Sequence, residues 1–317
     1  MIWLTWRQQR TETLIAALLL VLVAALLVPT GLHMASVYEQ DGIAACLTDS
    51  SDSCREKINS FLERTDSLVS FVGWLNLVPG LIGALLAAPF VLEFERGTFR
   101  LAWTQSITRG RWLAARITLI VGAALAASLL FTLLVTWWHA PLDDVNGRFT
   151  DGFDLEGIGP SAYTLFAAAL VIALGVVLRR TAAAIGLAFV LFIAFRIGIA
   201  NWARPHYQAP IRETWVGDAG SELQGAWVVS QGGEFRFAQG GRPPDPGVLD
   251  SCLSNVGPGK GIDAACLARH DIAYYTSASY HPDGRFWLFQ TIEAGIFVAM
   301  ALVLLAFSIW WIRKRIS

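Results

Sequence analysis

The chain is 317 residues long, 55% hydrophobic and only 15% charged, against about a quarter charged in a typical soluble domain. Its formal net charge of -1 conceals a segregation, with Lys and Arg in some segments and Asp and Glu in others. The absence of any long basic tract argues against a nucleic-acid binder, and no period or biased composition suggests a repeat array or a low-complexity protein.

At the N-terminus a helix over residues 1–13 would place Trp3, Trp6, Arg7 and Arg10 on one face and Thr5, Gln8 and Glu12 opposite. Tryptophan at headgroup depth with arginine reaching phosphate marks an interfacial helix. Ordinary basic flanking would explain the arginines but not the tryptophan spacing. About 20 largely apolar residues are needed to cross the hydrocarbon core. Six stretches meet that length: 14–33, 68–92, 113–138, 161–178, 182–200 and 286–311. The first exceeds the apolar core of a signal peptide, and no convincing small-residue cleavage site follows it. The second contains Pro79-Gly80 and Pro89 and is expected to kink, which neighbouring helices or water tolerate by satisfying the freed carbonyls.

The loops orient these spans. Arg7, Arg10, Arg96, Arg100, Arg109, Arg111, Arg179, Arg180, Arg313, Lys314 and Arg315 fall on one side of the predicted topology, accompanied only by the acids Glu12, Glu93 and Glu95. Positive residues are retained inside, so both termini are expected in the cytoplasm of a plasma-membrane protein. The tryptophans agree: Trp3, Trp6, Trp112, Trp310 and Trp311 fall at the inner interface, and Trp74, Trp137, Trp138, Trp202 and Trp287 at the outer one. All four cysteines then lie outside, where disulfides persist. Local pairing of Cys46 with Cys54 and Cys252 with Cys266 is the simplest of the three connectivities. No metal site is expected, because neither pair has zinc-knuckle spacing and His270 and His281 are scattered. Residues 201–285 are rich in Gly, Pro and aromatics and too long for a turn. They are expected to fold as a disulfide-fastened extracellular cap, a structural lid in preference to a ligand-binding element.

Catalytic signals are poor. Gly257-Pro258-Gly259-Lys260-Gly261 lacks the upstream glycine and the Ser or Thr of a phosphate loop, and falls outside, away from ATP. No nucleophile elbow or paired metal-binding histidines occur, and Asp143-Asp144 reads as a solvated face. Arg196 near the outer end of the fifth span and Glu293 near the start of the sixth share a depth. Either charge alone costs roughly 2.5–3.5 kcal/mol on insertion scales, so an ion pair between them is the economical arrangement. Asn76 and Gln290 are the other polar candidates in the outer halves of spans; all four serve either a substrate pathway or a structural clamp.

The most informative segment is 93–112. Gly97 suits the terminating position of the second span, and Thr98 can cap a short helix after it. On that helix Phe99, Ala102 and Trp103 share a face, which would fit a groove in a soluble partner or rest on headgroups. The sequence Glu93-x-Glu95-Arg96-Gly97-Thr98, with Leu101-x-x-Thr104-Gln105-Ser106 and Arg109-x-x-Trp112, resembles the first cytoplasmic loop of type-2 ABC exporter membrane subunits. The opening Trp3-x-x-Trp6-Arg7-Gln8 is similar to the actinobacterial branch.

The resemblance implies a permease without its own ATPase site, paired with a second permease copy, with ATP and Mg bound on separate ABC ATPase subunits. It assigns Glu93, Glu95, Arg96, Gly97, Thr98, Phe99 and Trp103 to ATPase coupling. It also puts the second and fifth spans on the pathway, which raises interest in Asn76 and Arg196. The enlarged loop before the sixth span departs from the family's shorter element. The expected architecture is an all-α polytopic membrane protein: an interfacial helix at 1–13, five spans within 14–200, a cap at 201–285, and the sixth span with a basic tail at 286–317. A polar-poor pathway points to a hydrophobic or amphipathic cargo. The competing reading is a membrane sensor or scaffold whose cap binds a ligand; a membrane-embedded enzyme ranks third for want of any acid–base pair or nucleophile.

Overall fold

The computed structural model describes residues 2–49, 51–98, 108–149, 152–217, 219–220, 222–237, 245–254 and 264–315, with backbone only at 2–13, 109, 250, 251, 253, 254 and 264. The chain divides into two units, Met1–Tyr207 with Phe286–Ser317, and Gln208–Arg285. Among the described residues of the first lie six helical segments long and apolar enough to cross a membrane.

Helix α1 (Ile2–Gln40) is 39 residues long, about 58 Å at 1.5 Å per residue. Residues 2–13 continue into the first apolar stretch without a helix break. A short α2 (Ile43–Cys46) is joined to α3 (Asp52–Val72) by the Cys46–Cys54 disulfide. Ser51 caps α3, its hydroxyl accepting from the Cys54 N–H, and Asp52 adds a favourable charge to the first turn. A 3-10 turn (Gly73–Leu77) leads into α4 (Val78–Arg96), so the second span belongs to a 45-residue segment from Asp52 to Arg96. The helix type changes ahead of Pro79, which stands in the first turn of α4 where a missing N–H costs nothing; Pro89 lies inside it. Gly97 ends α4 in the left-handed conformation at φ 70°, which favours a residue without Cβ. Then follow α5 (Arg109–Asn146), α6 (Gly159–Leu178), α7 (Thr181–Gly198) and α10 (Phe286–Arg315). A π turn (Ile199–Ala203) and a 3-10 turn (Arg204–His206) prolong α7.

The central helix is α6, buried along most of its length. Small residues on both helices let α4 and α6 approach closely: a Cβ at Gly83 of α4 would stand 2.5 Å from the Thr164 carbonyl oxygen, and one at Gly175 of α6 2.3 Å from Val91. Lipid exerts no hydrophobic drive between helices, so such small-residue contacts carry the packing. Phe90, Phe166, Phe192 and Phe297 fill the core around it. Much of α1 and α7 turns outward, with Leu14, Leu18, Val190 and Ile197 exposed, as lipid-facing positions should be.

Two tryptophans expected at interfaces are interior. Trp112 stacks near Phe90 and Phe94, and Trp138, 1% exposed, donates its indole N–H to Thr30 Oγ1 at 3.0 Å. A buried indole with a partner is satisfied without water. Trp74, Trp202 and Trp287 are exposed, compatible with interfacial placement.

The unit Gln208–Arg285 corrects the all-α expectation. It holds a three-stranded antiparallel sheet in the order β1-β3-β2, made of β1 (Ile211–Val216), β2 (Trp227–Phe237) and β3 (Ile272–His281), with a bulge between Val228 and Ser230. Aromatic and β-branched residues dominate the strand ends, which suits a pleated, half-buried surface. The Cys252–Cys266 disulfide ties α8 (Pro246–Ser254) to α9 (Ala264–Arg269), packed with Phe235 and Phe237. Both disulfides follow the local pairing, and together they use all four cysteines.

Candidate functional site: a buried charge quartet and its cleft

Where α6 and α10 begin and α7 ends, four ionised side chains meet. Glu293 stands two turns into α10 on the face toward α6 and is 1% exposed. Arg204, from the 3-10 turn beyond α7, grips it bidentately, Nε to Oε2 at 2.8 Å and Nη2 to Oε1 at 2.8 Å. Tyr163 of α6 donates to Oε1 at 2.6 Å, and Tyr207 to Oε2 at 3.4 Å. Arg204 also bonds Asp154, on the turn between α5 and α6, and its guanidinium lies 4.2 Å from the centre of the Phe153 ring. Arg196 faces the same carboxylate at 3.4 Å, donates to Asn76 Oδ1 at 3.2 Å and stacks on Tyr163 at 3.8 Å.

Two cations balance two anions, and most lone pairs are met by donors. Such an arrangement is required to hold charge at low dielectric. Burial opposes ionisation of Asp154, but Arg196 and Arg204 outweigh it and hold its carboxyl below the usual value. Burial and the adjacent Glu293 carboxylate push the Tyr207 hydroxyl well up, keeping it neutral. The expected Arg196–Glu293 ion pair is not formed. Arg204 takes Glu293 because the π and 3-10 turns carry the helical path of α7 on to it, eight residues beyond Arg196, while Arg196 faces Asp154.

Beside the quartet opens a cleft of about 260 Å³. Asn76, Asp154 and Arg196 form its polar wall, and Phe192, Ile193 and Ile197 an apolar one. Arg196 Nη1 is buried without a hydrogen-bond partner among the described residues. The cleft therefore offers a cationic donor and a carboxylate next to aliphatic surface, chemistry suited to an amphipathic guest. Of the four pathway candidates, Asn76 and Arg196 line it. Gln290 and Glu293 stand behind it, on the buried face of α10. Gln290 clamps the turn before α6, donating to the Phe153 carbonyl at 2.5 Å and accepting from the Gly159 N–H at 2.9 Å.

The other end of α4 carries the acidic pair singled out in the sequence. Glu93 forms an ion pair with Arg116 of α5, which is 4% exposed at its side chain. Glu95 accepts from the Thr181 N–H at 2.9 Å and from its hydroxyl at 2.5 Å, capping the start of α7 from a neighbouring helix. Arg96 is exposed, and Thr98 turns its hydroxyl back to the Glu93 carbonyl at 3.5 Å. Phe99 and Trp103 lie outside the described residues. The acidic pair thus braces the second span against the third and the fifth.

Sequence reasoning passed over Asp154, Tyr163, Arg204 and Arg116. Arg116 had a signal, a charge inside an apolar stretch, which is a functional or structural marker by default. Arg204 and Asp154 had none, since both fall in polar connections.

The sequence profile of a family described as ABC-2 membrane transporter related matches residues 17–204, more than half of the chain. No curated protein and no solved structure matches it.

Proposed function

Because this chain belongs to the ABC-2 membrane transporter related family, a family of multi-pass permeases, we propose that it is the membrane subunit of an ATP-driven exporter. It works as one of two permease copies with two separate ABC ATPase subunits, which bind the ATP and Mg. The carrying observation is the family match across the first five spans. Two further features support it. The basic residues gather in alternate loops, which orients both termini to the cytoplasm of a plasma-membrane protein; residues 2–13 form the interfacial start of α1. The acidic pair Glu93 and Glu95 bonds to α5 and α7, so a push on the loop after Gly97 reaches two other spans.

In this reading closure of the ATPase pair moves the loop that carries Phe99 and Trp103. Through Glu95 and Thr181 the movement reaches α7, whose far end presents Arg196 to the cleft. Cargo is amphipathic, its polar group held by Arg196 and Asn76 and its apolar part by Phe192 and Ile193. Cargo must bind the two states with different affinity for ATP-driven switching to move it.

The test is purification of the chain from its native membrane in mild detergent, with partners identified by mass spectrometry. An ABC ATPase is expected at stoichiometric yield, and Phe99→Ala with Trp103→Ala is expected to lose it while the chain remains in the membrane. A clean preparation without an ATPase would instead favour a receptor built around residues 208–285.

A further inference from the structure

The turn 152–157 carries a second acid that the quartet does not use. Glu156 is 2% exposed, and its Oε1 has no hydrogen-bond partner among the described residues. It stands 3.7 Å from Nδ1 of His139, also 2% exposed at its side chain. His139 and Asp143 lie four residues apart on α5 and therefore share a face. The Asp143 side chain is 10% exposed, which corrects its reading as a solvated residue: α5 runs on to Asn146 and carries it one turn beyond His139 on the packed side. Asp144, the next residue, points away and accepts from Tyr38 at 3.1 Å.

We propose that His139, Asp143 and Glu156 bind one divalent transition-metal ion, with zinc the best match. One ligand atom from each lies within 4.8 Å of the others. Two donors about 2.0–2.2 Å from one zinc ion stand roughly 3.3–3.8 Å apart at tetrahedral to trigonal angles, which brackets the His139–Glu156 separation of 3.7 Å. One imidazole and two carboxylates form a neutral set with a dication, and three protein donors leave a fourth position open. The backbone is shaped for it. A Cβ at Gly152 would stand 2.8 Å from Glu156 Oε1, so a glycine here leaves the carboxylate its place. The Leu155 and Glu156 N–H groups both close on the Gly152 carbonyl at 3.0 Å. Arg148, 3.8 Å from Asp143 Oδ2 and 44% exposed, supplies counter-charge in the metal-free protein and can swing to solvent on loading. The other grouping of this kind, Cys252, Cys266 and His270, offers no thiolate because both sulfurs are in a disulfide.

The ion would pin the turn 152–157 to α5, and that turn presents Asp154 to Arg196 and Arg204. His139, Asp143 and Glu156 are thus positioning residues for the polar wall of the cleft. The inference rests on these three side chains and not on the exporter reading, so each can fail alone.

Full-length protein in detergent, stripped with a chelator and reloaded with zinc, is expected to retain about one ion per chain. His139→Gln and Glu156→Gln are expected to weaken zinc binding at least tenfold, and His270→Ala to leave it unchanged. X-ray absorption on the unsubstituted protein is expected to show nitrogen and oxygen ligands with one imidazole and no sulfur. That measurement decides the matter even where a variant misfolds. A chain that retains no zinc after reloading, a shell containing sulfur or lacking imidazole, or undiminished binding by both variants would overturn the site.

Discussion

Replacing Glu293 by leucine removes one anion from a buried quartet while nearly preserving volume. Arg204 loses two hydrogen bonds of 2.8 Å and keeps only Asp154, while Tyr163 loses its 2.6 Å acceptor. Two guanidinium groups then face a single carboxylate. Removing one partner of a buried ion pair costs about 3–5 kcal/mol, roughly two to nearly four powers of ten in the folding equilibrium. The double variant Arg204→Met with Glu293→Leu leaves Arg196 opposite Asp154 at 3.4 Å and restores neutrality. Replacing both members of a buried pair by apolar side chains is often close to neutral, so the double variant should regain at least about 2 kcal/mol over Glu293→Leu. Unfolding free energies in mixed micelles measure both. A loss below about 1 kcal/mol for Glu293→Leu, or a double variant less stable than the sum of the singles, would refute the charge-balance argument.

Other consequences follow from separate parts of the fold. Asp154→Asn should cost about 1.5–3 kcal/mol at pH 7, the range for hydrogen bonds to charged groups. Because the arginines hold the Asp154 pKa below its usual 3.8, its ionised form contributes above the unfolded value and the contribution is lost as pH falls through the folded one. Thermal unfolding of wild type and variant should therefore begin to converge as pH falls below about 4 and coincide only below the folded pKa. Gly83→Leu drives a side chain onto the Thr164 carbonyl and should cost at least about 1–3 kcal/mol, read as a lowered melting temperature, whereas Gly122→Leu meets open space and should be tolerated. Serine at both Cys46 and Cys54, which lie eight residues apart, should cost about 2–3 kcal/mol from the loop-closure relation, and reducing agent should lower the wild-type midpoint more than that of the variant, which keeps only the Cys252–Cys266 bond.

The spans were readable because hydropathy is a property of contiguous residues, and 20 apolar side chains in a row need no partner to announce a crossing. Gly97 was readable for a related reason: a left-handed terminus favours glycine locally. The quartet was legible only in part. Arg196 and Glu293 were found as charges at one depth, but the pairing was misassigned, because depth along a span does not say which side of a helix faces which neighbour. Trp112 and Trp138 lie near the ends of an apolar stretch, as interfacial tryptophans do, yet both turn inward. Residues 201–285 read from the sequence as a folded, disulfide-bonded segment, but their strands do not, although β3 holds Tyr, Thr and Ile in a ten-residue run. Asp143 reads as solvated where the third span ends near Trp138, whereas α5 continues to Asn146.

The sequence alone establishes six stretches long and apolar enough to cross a membrane, cysteines spaced to pair locally and an acidic pair at the end of the second stretch, since each depends on composition or spacing within a few tens of residues. Tertiary structure decided which charges meet. Glu293 reaches Tyr163 and Arg204 across 130 and 89 positions, and Glu93 reaches Arg116 across 23. The physical reason is that burial can be satisfied by any apolar surface, whereas an ion pair requires two particular atoms within about 4 Å, and only the packing of α4, α5, α6, α7 and α10 brings them there.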